Sequence, residues 1–252
     1  MVLFETIAVA FSMYSAFPVP QFAWNEKNTR YVMCAFPLIG VLCGLVCAGV
    51  YALCEALRFP ELLRGAMLTC VSPVLTGGIH LDGFADTSDA LASNATRAKK
   101  LEILDDPHIG SFAVIRLVLY FLITFVLWTC MPVFSVVRIV LMQVYSRVLS
   151  GLSVTAFPQA KGQGTVRSFA DASGSGHVRA VLTAMDVLCG IALCITGIPG
   201  ICMTAAVQLL FLYFYSMSKH HFGGVSGDLC GWFLTCAECL MLGVMVMTGL
   251  II

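Results

Sequence analysis

Three carboxylates fall within eight residues of the stretch Gly77-Gly78-Ile79-His80-Leu81-Asp82-Gly83-Phe84-Ala85-Asp86-Thr87-Ser88-Asp89. If residues 81–91 are helical, Asp82, Asp86 and Asp89 stand at i, i+4 and i+7. At 3.6 residues per turn they lie within about 60° of one another on one face. Like charges on one face repel, so the arrangement is unfavourable unless a cation sits among them. Carboxylate oxygens suit a hard ion such as Mg²⁺, which keeps several waters and often bridges to substrate phosphates. The plainer alternative is an N-cap aspartate followed by a solvated acidic turn.

Three further polar patches carry candidate chemistry. The first is Arg97-Ala98-Lys99-Lys100-Leu101-Glu102-Ile103-Leu104-Asp105-Asp106-Pro107-His108-Ile109-Gly110-Ser111. Lys99 and Lys100 read as basic residues near anionic lipid. Asp106 precedes proline, so its backbone is expected to be extended, which makes it a candidate fifth oxygen donor beside Asp82, Asp86, Asp89 and Asp228. His108 is a candidate substrate contact. The second patch pairs Arg147, inside an apolar run, with Lys161-Gly162-Gln163-Gly164-Thr165. An arginine so placed faces a polar cavity or a partner. A planar guanidinium suits a phosphate, and the alternative is an ion pair with a motif aspartate. Gly162 and Gly164 would let backbone N–H groups approach an anion. The run is not a P-loop, because it lacks the GK[ST] ending. The third patch is His220-His221-Phe222-Gly223-Gly224-Val225-Ser226-Gly227-Asp228. Gly223 and Gly224 permit unusual loop conformations near a substrate, and Asp228 either caps the last span or ligates a metal. His220 and His221 read as interfacial loop residues. Asp186 and Glu238, within spans, are near enough to loops to snorkel and are left outside the core site.

The elements that must position these groups are apolar. The chain has 252 residues, 59% hydrophobic and 11% charged, with a mean hydropathy of +0.92, against about 25% charged in a soluble domain. It is expected to be one all-α, polytopic membrane domain over residues 1–252, embedded in the lipid bilayer. The formal net charge of zero gives no bulk attraction to nucleic acid. Twelve cysteines sit mostly singly in apolar runs, as small hydrophobes. No CxxC pair or Cys/His cluster suggests zinc. The N-terminus lacks a basic region and a small-residue cleavage site, so no cleaved signal peptide is expected.

Hydropathy gives seven to eight apolar segments, near Val2–Phe17, Tyr31–Leu53, Leu62–Leu75, Phe112–Met131, Ile139–Phe157, Ala180–Ile198, Ile201–Met217 and Trp232–Ile252. The first is short for a span of about 20 residues, so a tilted, re-entrant or partial helix is expected. Gly40 and Gly44 have the small-xxx-small spacing of close helix contacts. Three loops are long and polar: 77–111, 157–180 and 218–231. With the first segment crossing, alternate loops hold Lys27, Arg30, Arg97, Lys99, Lys100, Lys161, Arg167, Arg179 and Lys219 on one side. Only Arg58, Arg64 and Arg138 fall on the other. The basic bias places every motif-bearing loop in the cytoplasm.

The residues then match a family. GGIHLDGFADTSDAL, LEILDDPHIGSF, GQGTVRSF and GGVSGDLCG come in the order and spacing of cobalamin synthase, the adenosylcobinamide-GDP ribazoletransferase family. The resemblance also takes in Pro18-Val19-Pro20, Trp24 and Pro37-Leu38-Ile39-Gly40, and so covers nearly the whole chain. One departure is visible: where the family often carries a basic residue before its first Pro-Val-Pro, this chain has Ala16-Phe17. The resemblance implies a Mg²⁺-dependent enzyme of the prokaryotic cell membrane. It would join adenosylcobinamide-GDP to α-ribazole or α-ribazole 5′-phosphate and release GMP; a homo-oligomer is compatible with it. On this reading carboxylates hold the metal, while Arg147 and Lys161 take remaining charge. His80 or a motif carboxylate accepts the proton of the attacking hydroxyl.

Rival readings are a CDP-alcohol phosphotransferase, a UbiA-type prenyltransferase and a cation transporter. The first puts an arginine where Asp86 stands. The second needs another DxxxD-like loop, and only Asp228 is available. The third usually places its site at the midplane between repeats, whereas these aspartates stand at a span's end and no repeat is evident.

Overall fold

The computed structural model describes residues 1–161, 168, 169, 171 and 176–251. These form eleven helices: α1 (Val2–Tyr14), α2 (Glu26–Thr29), α3 (Val32–Ala56), α4 (Glu61–Thr76), α5 (Ile79–Ala92), α6 (Arg97–Ile103), α7 (Ser111–Thr129), α8 (Val136–Ala156), α9 (Gly176–Ile195), α10 (Ile198–His221) and α11 (Gly227–Ile251). Among the described residues there is no strand, only one isolated bridge, between Gln159 and Val225. The expected all-α polytopic class is what is found.

Six helices, α3 and α7 to α11, are long and apolar enough to cross a membrane. α4 and α5 pass the same test only together, as a pair bent by 93°. α1 has 13 residues. At 1.5 Å per residue it falls well short of a hydrocarbon core about 30 Å thick, as the length of the first segment leads one to expect.

The bend between α4 and α5 is set by two glycines. Gly77 and Gly78 have φ of +63° and +80°, a left-handed conformation that costs side-chain-bearing residues energy. The Gly78 N–H donates to Pro73 O at 2.9 Å and the Gly77 N–H to Val74 O at 3.4 Å, the two bonds of a Schellman cap. Another carbonyl at this helix end, Leu75 O, accepts from the Ala16 N–H at 2.8 Å, tying down the segment after α1. α5 starts at once, with the Asp82 N–H bonded to Gly78 O. Residues 81–91 are therefore helical, as expected.

α8 is the most enclosed span, with thirteen buried residues from Ile139 to Val154. It meets α3 at very short range. A Cβ on Gly40 would stand 2.4 Å from Gln143 O, and one on Gly44 2.6 Å from Val140 Cα. The predicted small-residue seam thus packs on α8. α7, α9 and α10 turn long apolar faces outward, as lipid-facing helices do. All twelve cysteines are free.

The polar loops gather at one end of the bundle. Asp89 at the end of α5 bonds Gly110, Lys161 bonds Asp105, and Gln159 bridges Val225. At the opposite end Arg138 bonds Thr196, and Arg64 pairs with Glu55. In sealed vesicles lacking other reactive thiols, Asn94→Cys and Gly227→Cys are expected to react with an impermeant maleimide from the same face, and Arg58→Cys from the other. Labelling of Asn94→Cys and Gly227→Cys from different faces would contradict this arrangement.

Candidate functional site

The site is built where α5 crosses the start of α11. Gly83 makes this possible. A Cβ there would stand 2.7 Å from both Cα and O of Asp228, closer than side chains tolerate. Gly231, one turn on, lies close to His80 in the same way. The two backbones meet with no side chain between them, so Asp228 of α11 faces the acidic side of α5. Asp86 sits in the combined field of Asp82, Asp228 and Asp89, with Lys161 opposing. Among the described residues, neither Asp82 nor Asp86 has a hydrogen-bonded or ion-pair partner for its carboxylate.

Asp228 does not cap α11. That task falls to Ser226, whose Oγ accepts from the Leu229 N–H at 3.4 Å and whose carbonyl accepts from the Cys230 N–H. Asp228 instead accepts from the Ser226 hydroxyl at 3.3 Å and lies 3.7 Å from Lys161 Nζ. Lys161 also pairs with Asp105 at 2.6 Å. It is the one predicted cation that the structure brings to the carboxylates.

Other predicted residues are committed elsewhere. Asp89 accepts from the N–H groups of Gly110 at 2.7 Å and Ala113 at 2.9 Å. It satisfies donors at the start of α7, where an anion also meets the helix dipole. Gly110 leaves room for it, since a Cβ would stand 2.6 Å from the Asp89 carboxylate. Asp89 is thus a brace between α5 and α7 rather than an open ligand. Asp106 is exposed and turned onto its own loop, bonding the His108 N–H at 2.9 Å and the His108 ring at 2.8 Å. These bonds hold its carboxyl below the usual range and turn Asp106 Oδ1 and His108 Nδ1 toward each other. Among the described residues, no hydrogen bond or ion pair links Asp106 or His108 to the acidic set. Gly162 and Gly164 lie outside the described residues. Gly223 has φ of +81°, and Gly224 runs so close to Pro158 that a Cβ would stand 2.2 Å from its carbonyl oxygen. This contact seats the α10–α11 loop on the segment leading to Lys161.

The phosphate contact expected for Arg147 is corrected by the structure. Arg147 is 0% exposed and pairs through Nη1 with Glu238 Oε1 at 2.6 Å. The same nitrogen donates to Gln143 O at 2.8 Å and Gln143 Oε1 at 2.9 Å. Glu238 also accepts from Ser72, Gln143 and Ser146. Within a bilayer, two opposite charges on neighbouring spans satisfy each other before they reach a loop. The sequence shows both charges, but 91 positions apart, with nothing to mark their spans as neighbours. Asp186 likewise does not snorkel; it accepts from Tyr145 at 3.0 Å and Gln208 at 2.7 Å. His80 is buried between the rings of Tyr14 and Phe36. It lines an inner polar cavity with Arg147, Thr235 and Glu238, and its Nε2 has no partner.

What remains open for chemistry is a set of oxygen donors, Asp82, Asp86 and Asp228, with Lys161 at its edge. The unpartnered carboxylates of Asp82 and Asp86, with that of Asp228 beside them, offer hard oxygens of the kind that fit a hard divalent cation. Yet among the described residues no three His, Cys, Asp or Glu side chains close on one point tightly enough to ligate a metal. A cation bound here would have to take part of its coordination from water or substrate.

The family model described as cobalamin-5-phosphate synthase matches residues 6–246 of the chain. An adenosylcobinamide-GDP ribazoletransferase of Lachnoclostridium phytofermentans is 37% identical, over 98% of this chain and 96% of that one. One from Clostridium perfringens is 30% identical, over 96% and 99%, and one from Desulfitobacterium hafniense 31%, over 94% and 93%. No solved structure matches.

Breaking the buried pair tests the reassignment of Arg147. Arg147→Met strands Glu238, and removing one member of a buried pair costs about 3–5 kcal/mol. The expected result is a lower melting temperature and less folded protein in the membrane. Arg147→Met combined with Glu238→Leu should recover most of both. A stable Arg147→Met variant defective only in turnover would instead return the guanidinium to the substrate.

Proposed function

The chain belongs to the cobalamin-5-phosphate synthase family, and on that premise we propose that it joins adenosylcobinamide-GDP to α-ribazole or its 5′-phosphate and releases GMP. The observation that carries this reading is the free carboxylate pair of Asp82 and Asp86 held against Asp228 across Gly83. The names of its relatives supply the donor substrate.

The reaction is a substitution at phosphorus. A ribose hydroxyl of the acceptor forms a new O–P bond to the phosphate attached to the cobinamide. The bond from that phosphorus to the bridging oxygen breaks, and GMP leaves with the oxygen. Catalysis of such a step is mainly positioning and charge neutralisation. Asp82, Asp86 and Asp228 are the residues that would hold Mg²⁺, which when bound neutralises charge on the diphosphate. Lys161, braced by Asp105, offers a protein cation beside the same carboxylates. The hydroxyl proton passes to whichever of these carboxylates is not engaged by the cation. His80 is a poor acceptor for it, because its ring is buried against Tyr14 and Phe36.

Two features support a cytoplasmic site. The loops that carry it share one end of the bundle, and basic residues favour that side, as cytoplasmic loops do. A soluble nucleotide donor and a leaving GMP also require an aqueous face.

GMP release by the purified protein in detergent or liposomes tests the proposal. Release should require adenosylcobinamide-GDP, the ribazole acceptor and Mg²⁺, and stop with a chelator. Asp82→Asn and Asp86→Asn keep side-chain size and an oxygen but remove charge. Each should lower turnover on the order of a hundredfold or more, with unchanged melting. The losses should be less than additive, because the carboxylates act together. GMP release without a divalent cation, or full activity in both variants, would overturn the mechanism.

A further inference from the structure

α7 carries a single charged residue, Arg116, in its second turn. The helix around it faces lipid: Phe112, Ile115, Leu119 and Leu122 are all exposed. At 1.5 Å per residue, Arg116 lies within about 10 Å of the polar end of the bundle, where α7 begins. Among the described residues its guanidinium has no hydrogen-bonded or ion-pair partner. A cation within a span usually pairs, or reaches water or headgroups. Snorkelling to the interface accounts for the charge, but not for the shape of the surface beside it.

Arg116 lines one end of a groove of about 430 Å³ between α7, α10 and α11. Leu119 and Ile123 of α7, Leu210 of α10 and Leu240 of α11 form most of its walls. Leu119, Ile123 and Leu240 are exposed along it, so the groove opens toward lipid. From Arg116 to Ile123 it follows α7 for roughly 10 Å, the direction in which acyl chains run. Among the described residues, Arg116 is the only charged group on its walls. The polarity thus has the order of a phospholipid, with charge at the aqueous end and apolar surface below.

We propose that this groove binds one anionic phospholipid, with an acyl chain between α7 and the α10–α11 pair and the headgroup phosphate on Arg116. A planar guanidinium suits a phosphate, and basic pockets between spans are where acidic headgroups bind. The walls carry no carboxylate to receive the cation of a zwitterionic headgroup, which favours a lipid of net negative charge. A second copy of the chain, placed on the same face by a two-fold axis, would bring cation toward cation and supply no anion. The site is separate from the acidic set but touches the element that carries it. Phe84, next to Gly83 on α5, lines the groove and packs on Tyr120 with ring centroids 5.7 Å apart. The proposal goes beyond the ribazoletransferase reading and does not depend on it.

Native mass spectrometry of the full chain, in micelles containing phosphatidylglycerol or phosphatidylcholine, tests this. The wild type should retain one phosphatidylglycerol about tenfold more tightly than phosphatidylcholine, as a charge-assisted contact implies. Arg116→Gln breaks no protein contact, so its melting temperature in lipid-free detergent should match the wild type. It should nevertheless hold the two lipids equally. Cys236→Phe fills the groove and keeps the charge, and should weaken both lipids; Leu119→Trp, at a half-exposed position, should do the same. Phosphatidylglycerol should also raise the melting temperature of the wild type more than phosphatidylcholine does. Glycerol 3-phosphate, a headgroup without chains, should give no such rise. None of these readings requires GMP release, so failure of the lipid site and failure of the proposed reaction are told apart. Equal retention of both lipids by the wild type, or an unchanged preference in Arg116→Gln, would reduce the groove to ordinary lipid contact and overturn the proposal. Protection by glycerol 3-phosphate equal to that by the lipid, or a dimer that excludes lipid, would overturn it as well.

Discussion

The structure depends on one close approach, that of α5 to α11 at Gly83. Carboxylates repel, and no helix gains by turning its acidic face toward another aspartate. Asp228 nevertheless faces Asp86 because their backbones meet where a methyl group would not fit. The surrounding elements hold that approach. Gly77 and Gly78 bend the chain by 93° so that α5 can lie along α11. Asp89 fastens the far end of α5 to α7. Thr235 donates to His80 O at 3.3 Å and ties the near end. Electrostatic cost is thereby concentrated at one point by contacts that are otherwise favourable, as at many sites that bind a charged ligand.

Beneath this point lies the Arg147–Glu238 pair, which joins α8 to α11. A buried pair gains little over a well-packed apolar contact, because both charges lose their water. Its value lies in geometry. Sliding or rotating α11 would separate Glu238 from Arg147, Gln143, Ser146 and Ser72 together. The network therefore fixes the register of the helix that begins with Asp228. Gly40 and Gly44 set α3 against the same face region of α8, so the acidic site rests on a rigid base. A polar network deep in the bundle thus positions groups at its aqueous end without touching substrate.

Much of this was legible in the sequence. Long apolar runs disclose the spans because a lipid environment leaves the backbone few alternatives to helix. Given a helix over 81–91, the acidic face follows from spacing alone, as does the Gly40 and Gly44 seam. Partner choice was less legible. Asp82, Asp86 and Asp89 look equivalent by period, yet Asp89 is taken by the start of α7, where Gly110 stands 21 residues further on. Arg147 and Glu238 lie 91 positions apart, and sequence alone does not show that their spans are neighbours. Gly83 was hidden inside the motif as a spacer between aspartates, although its missing side chain is what lets the motif meet Asp228. Lys99 and Lys100 look equivalent in the sequence, as basic residues near anionic lipid, whereas the fold leaves Lys99 exposed beside Glu102 and covers most of the Lys100 side chain.

The most direct test of the central claim is the GMP-release rate of Gly83→Ala, measured on protein whose melting temperature and detergent profile show that it is folded. A single methyl group must push α5 from α11, and misplacement by about 1 Å can cost on the order of a hundredfold in rate. The expected result is a loss of that size, with a higher Mg²⁺ concentration needed for half-maximal turnover, although no charged residue has been altered. Wild-type turnover with an unchanged Mg²⁺ requirement would show that the approach of Asp228 to Asp82 and Asp86 is not what makes the site.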